Sequence, residues 1–190
     1  FTERLSAAPH LYDAIAAEVA AGHRYWLLTL HPKCAPALVE RYRGLAGANA
    51  AFVETEQLVS AERAADVLVA DTTSVVSEFV VQRKPVVTFR NRVPKPHMLD
   101  FDDPSALPAM LERAFAPSPE LQAALQQGYV GKTQHIVQPG ALQGQEADPG
   151  ALAQEILGLH LGLVLAGPEA GLEVTGLLAQ VPQYGLGLPQ

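Results

Sequence analysis

Four features of this chain have the residue types and spacing for chemistry on a phosphate ester: the run Asp71-Thr72-Thr73-Ser74, Glu78, His31, and the basic set Arg90, Arg92 and Lys95. The run follows a short apolar stretch, Val67 to Ala70, at the point where the chain must turn into a helix carrying Phe79 and Val80. The first N–H groups of a helix have no intrahelical partner and carry the positive end of its dipole, so they attract phosphate oxygens. The hydroxyls of Thr72, Thr73 and Ser74 add donors beside them. The same hydroxyls would cap the helix with no ligand present, so the turn alone leaves both readings open.

His31 follows the apolar run Tyr25 to Leu30 and is held by Pro32, which puts an imidazole at a strand's carboxyl end. Ligands of open parallel sheets bind at that edge, and an imidazole titrates near neutrality, although a structural histidine fits the same place. Glu78 lies one helical turn after Ser74 on the same face. A carboxylate there can accept from ribose hydroxyls; a solvated helix residue is the alternative. Arg90, Arg92 and Lys95 lie in a proline-stiffened loop beyond the next strand and can neutralise a diphosphate or a polyanionic acceptor, though surface arginines are common.

These residues need a scaffold, and the patterning supplies one. Apolar runs near 25–30, 50–54, 67–70 and 85–89 read as strands, and amphipathic stretches over 10–22, 35–45, 58–65 and the segment after Ser74 read as helices. Alternation of this kind predicts an α/β fold: a Rossmann-like parallel sheet with helices on both faces. Lys84-Pro85 ends the fourth helix. In Asp100-Phe101-Asp102-Asp103-Pro104, Asp102 or Asp103 is placed to cap a helix over 105–115, a simpler role than metal binding, and no metal or cofactor is required.

The composition divides the chain in two. All nine arginines lie at or before Arg113, whereas twelve of fifteen glycines lie at or after Gly128. Residues 1–128 are thus expected to form the lobe and residues 129–190 a Gly-, Pro- and Gln-rich appendage of low order, with weak helices over 151–165 and 170–181. A formal net charge of −7 argues against a nucleic-acid binder. The single cysteine, Cys34, excludes an internal disulfide and any multi-cysteine zinc site. No leader is read at the start, no apolar run reaches the length of a membrane span, and the initial Phe1 suggests a piece of a longer protein.

Taken in order, Thr2-Glu3-Arg4-Leu5-Ser6, Leu28-Thr29-Leu30-His31-Pro32-Lys33, Ala65-Asp66-Val67-Leu68-Val69-Ala70-Asp71-Thr72-Thr73-Ser74 and Lys84-Pro85-Val86-Val87-Thr88-Phe89 resemble the CDP-glycerol glycerophosphotransferase family, the teichoic-acid-type polymerases and primases. The resemblance covers about residues 1–127 and implies the carboxyl-terminal, nucleotide-binding lobe of a GT-B fold. It implies transfer of glycerol phosphate from CDP-glycerol, or a related CDP-alditol, to a polymer or lipid-linked acceptor, with release of CMP. The implied location is cytoplasmic, at the inner face of a bacterial plasma membrane. By position, His31 matches the family's histidine-proline histidine at the active cleft, and Asp71-Thr72-Thr73-Ser74 its aspartate-hydroxyl turn, with Thr73 where serine is usual. Glu78 resembles the ribose-binding acid of related GT-B nucleotide-sugar enzymes.

The resemblance also implies that the first strand of this lobe, and an acceptor-side lobe, would precede Thr2. The family's second histidine motif has no counterpart around Gln134 to Gly140, so His135 is not carried over. Two alternatives stay open: a nucleotide-sugar glycosyltransferase or hexosamine 2-epimerase lobe, and a non-catalytic nucleotide-binding module.

Overall fold

A computed structural model describes residues 6–72, 75–136 and 162–166. Helix α1 (Ala8–Ala21) buries Ala8, Leu11 and Ile15 on one side and stops at Gly22, whose φ of 69° is left-handed and whose N–H donates to the Glu18 carbonyl. Strand β1 (Tyr25–Thr29) is buried along its whole length. Helix α2 (Pro36–Arg43), strand β2 (Ala50–Phe52), a 3-10 turn (Thr55–Gln57) and helix α3 (Leu58–Ala64) follow. Strand β3 (Val67–Ala70), helix α4 (Val75–Val81) and strand β4 (Val86–Phe89) complete the expected alternation.

The next strand is β5 (Met98–Phe101). It lies where the sequence reads as loop, because its apolar residues share so short a run with Asp100. A 3-10 turn (Pro104–Ala106), helix α5 (Leu107–Phe115) and helix α6 (Pro119–Ile136) come next, and strand β6 (Gly162–Ala166) is the last described element. The Asp103 side chain accepts from the Ser105 N–H at 2.9 Å, which makes it the cap.

The strands form one sheet in the order β2-β1-β6-β3-β4-β5. Two parallel blocks, β2-β1 and β3-β4-β5, carry the predicted topology. Between them β6 runs antiparallel to both neighbours, with Gly162 facing Thr29 on one side and Ala70 on the other. Helices cover both faces. Leu11, Ile15, Tyr42, Leu107 and Leu111 pack over Trp26, Leu28, Val69 and Val87, while Leu58, Ala61, Phe79 and Val80 pack over Leu27, Leu68 and Val86. Burial of these side chains, about 1.5–3 kcal/mol for each large one, is the main stabilising term.

Two expectations about the carboxyl-terminal part are corrected. The proposed boundary at 128 falls inside α6, whose Gly128 lies so close to His97 that an added Cβ would sit 2.7 Å from its Nδ1. Residues 162–165, read as the end of a weak helix, belong to β6. The edges of β1 and β3 each present a row of backbone groups needing partners, and pairing with them outweighs a poor helix propensity. The expected helix over 170–181, and the remainder of the 129–190 appendage beyond α6 and β6, lie outside the described residues.

Candidate functional site

The carboxyl ends of β1 and β3 point to the same edge of the sheet, separated by β6 alone. Two ladder spacings put these strand ends about 10 Å apart. His31 stands two residues past Thr29 and is buried, at 7% exposure, and Asp71 directly follows Ala70 with 1% exposure. His31 and Asp71-Thr72 therefore stand at one edge of the sheet.

Their bonding is specific. His31 Nδ1 accepts from the Lys33 N–H at 2.9 Å, and the His31 carbonyl accepts from the Cys34 N–H at 2.9 Å. An Nδ1 used as acceptor places the proton of the neutral ring on Nε2, which makes that nitrogen a donor. Asp71 Oδ2 accepts from the Ala7 N–H at 3.1 Å, so this carboxylate holds the start of α1 against the tip of β3. That anchoring role was not foreseen, because its partner is 64 residues away.

Thr72 is exposed, and its Oγ1 accepts from the Arg92 N–H at 3.1 Å. The loop after β4 thus docks on the turn after β3, which brings the basic residues to the same edge. Arg90 is more latch than free cation: its φ of 51° is left-handed, its Nε and Nη2 donate to the Asp102 carbonyl at 3.3 and 3.1 Å, and its guanidinium lies over the Phe89 ring. Such a φ costs a non-glycine residue on the order of 1 kcal/mol, offset here by the guanidinium contacts. Arg92 and Lys95 are exposed. Thr73 and Ser74 lie outside the described residues, and α4 begins immediately after them at Val75.

Glu78 lies beside Glu62. Its side chain shares a hydrogen bond with Glu62 of α3, and burial, followed by the charge of Glu78 and that bond, pushes the Glu62 carboxyl up to about 8. The Glu62 carboxyl therefore keeps its proton to higher pH than an ordinary glutamate. Lys84 Nζ closes this cluster by donating to the Glu62 and Arg63 carbonyls at 3.2 and 2.8 Å. Burial lowers the Lys84 ammonium from its ordinary value.

One participant escaped the sequence reading. Asp100 Oδ1 accepts from Thr88 Oγ1 at 2.6 Å and from the Asn91 N–H at 3.0 Å. Its signal was the alternation of β5, in which Leu99 and Phe101 are buried and Asp100 is not. Among the described residues no cluster of three or more His, Cys, Asp or Glu side chains is arranged to hold a metal ion, and no helix is long and apolar enough to cross a membrane. The chain matches no protein-family model, no curated protein and no solved structure.

Proposed function

We propose that this lobe binds the donor of a glycerophosphotransferase-type reaction, a CDP-glycerol or related CDP-alditol, with the transferred phosphate above the strand ends of β1 and β3. The observation that carries this reading is the common edge of the two tips, His31 and Asp71-Thr72, with the Arg92 loop bonded to Thr72 at 3.1 Å. Crevices at the carboxyl ends of strands, where the sheet order reverses, are where open α/β sheets bind ligands. The order also suits the proposed lobe. Taking β1 as the second strand of a 3-2-1-4-5-6 sheet, the place between β1 and β3 belongs to the first strand, and here β6 holds it in the opposite direction.

In this reading the acceptor hydroxyl oxygen attacks the phosphorus that bears the glycerol, and the bond from that phosphorus to the bridging oxygen breaks. CMP leaves with the bridging oxygen, and the proton of the acceptor hydroxyl passes to the departing CMP or to solvent. His31 donates from Nε2 to a phosphate oxygen, and Arg92 and Lys95 balance the charge gathering on CMP. Arg90 contributes through the loop that it latches. Glu78 serves the α3–α4 contact more directly than a ribose. No cofactor or metal is invoked. The acceptor is a polymer or lipid-linked hydroxyl, presented by a further lobe at the cytoplasmic face of the plasma membrane.

Titration calorimetry of the chain with CDP-glycerol, CMP and a UDP-sugar tests the reading. Binding of both cytidine ligands, with no competition from the UDP-sugar, is expected. Equal competition would instead indicate a nucleotide-sugar transferase or epimerase lobe, and absence of binding would overturn the proposal.

A further inference from the structure

The last backbone bond joining β4 to β5 is that from the Arg90 N–H to the Phe101 carbonyl, at 2.9 Å. Beyond it the chain leaves the ladder, yet the next three amides all donate to side-chain oxygens. The Asn91 N–H reaches Asp100 Oδ1 at 3.0 Å, the Arg92 N–H reaches Thr72 Oγ1 at 3.1 Å, and the Val93 N–H reaches Asn91 Oδ1 at 2.9 Å. The loop closes where the Met98 N–H donates to the Lys95 carbonyl at 2.9 Å.

Of these three acceptors, only Asp100 is fixed within the sheet. It faces Thr88 in the β4–β5 register, and its Oδ1 takes the hydroxyl of that fully buried threonine at 2.6 Å. One carboxylate oxygen thus receives a donor from inside the strand and another from the first loop residue past Arg90. Such charge-assisted bonds are about twice as strong as neutral ones. Asn91 and Thr72, by contrast, are placed by the loop and turn they join.

We infer that Asp100 is a positioning residue of the candidate site: by tying Asn91 to Thr88 it sets the loop so that Arg92 meets Thr72, and so brings Arg92 and Lys95 to the edge where a phosphate-bearing ligand docks. The ligand part rests on the donor-binding reading above; the positioning part does not. Asp100 touches no ligand in this scheme and acts through Arg92.

Residue-resolved amide exchange on the full chain, with CMP titration, tests this for Asp100→Ala and Asp100→Asn. In Asp100→Ala the Asn91 and Arg92 amides should exchange about tenfold faster or more while Val86 to Phe89 stay protected, and CMP affinity should fall by about tenfold. Asp100→Asn, which keeps an oxygen at the same place, should recover most of both. Thr88→Val removes only the strand-side donor and should give the same pattern more weakly, which covers the case of Asp100→Ala failing to fold.

Unchanged protection at Arg92 in Asp100→Ala would overturn the inference. Loss of protection throughout β4 and β5 would as well, since Asp100 would then merely hold the strands together. Unchanged CMP affinity with a loosened loop would remove its role at the site. If the unaltered chain binds no CMP while Arg92 loses protection in Asp100→Ala, the donor-binding reading fails and the positioning role stands.

Discussion

The two strand tips that flank β6 carry hydrogen bonds of different reach. At β1 two bonds are local: the Lys33 and Cys34 amides turn back onto His31, within three residues. At β3 the partners come from far along the chain. Asp71 takes an amide 64 residues away, Thr72 one 20 residues away, and Glu78 of the following helix raises the carboxyl of Glu62 in the preceding one. A tip closed by its own neighbours can be altered with little effect on the fold, whereas one closed by distant partners ties the site to global stability.

The largest effect is expected at Asp71. Asp71→Ala leaves the Ala7 amide without its acceptor at the start of α1, in a region where Ala7 and Ala8 are both buried. Orphaning a buried donor that had bonded to a charge should cost about 2–3 kcal/mol in urea unfolding. Asp71→Asn, which retains an acceptor oxygen, should cost about 1 kcal/mol. A loss below about 0.5 kcal/mol for Asp71→Ala would place the β3 tip in the same class as the β1 tip and dissolve the contrast.

The contrast also explains how far the sequence could be read. Tyr25–Thr29, Val67–Ala70 and Val86–Phe89 are buried on both faces, so each is an unbroken apolar run that shows without knowledge of its neighbours. His31 and Asp71 are legible for the same reason, since the end of such a run marks a strand tip. Edge strand β5 is half-exposed and hides within an acidic segment, and β6 owes its state to pairing with strands more than 90 residues earlier. Likewise the acceptor role of Asp71 toward Ala7, and the turning of Glu78 toward Glu62, depend on chain contacts that no local pattern encodes.

The next effect concerns Glu62 and is set by pH. Its carboxyl titrates at about 8 in the fold against an ordinary 4.5, so the folded chain keeps a proton that the unfolded chain has released. The native state therefore binds more protons between about pH 4.5 and 8, and stability must fall as pH rises through that window. Glu62→Gln keeps a donor toward Glu78 but cannot ionise. It should flatten the pH profile, matching the unaltered chain near pH 5 and exceeding it near pH 9 by at most about 5 kcal/mol, less with solvent screening. Parallel profiles for the two proteins would mean that Glu62 does not keep its proton to higher pH than an ordinary glutamate.

The smallest effect on stability is expected at His31, whose Nδ1 takes part in a local turn with Lys33. Asparagine also accepts from the amide two residues on, forming the same kind of turn that His31 Nδ1 makes with Lys33. His31→Asn should then cost about 1 kcal/mol, less than Asp71→Ala, because the residue is buried but the turn is kept. The imidazole donor is lost all the same, so affinity for CMP should drop by about tenfold if Nε2 contacts phosphate. A variant little less stable than the parent but poor in ligand binding separates what the tip does from what holds it. A variant that loses both together would mean that the β1 tip, like the β3 tip, is secured by contacts beyond its own turn.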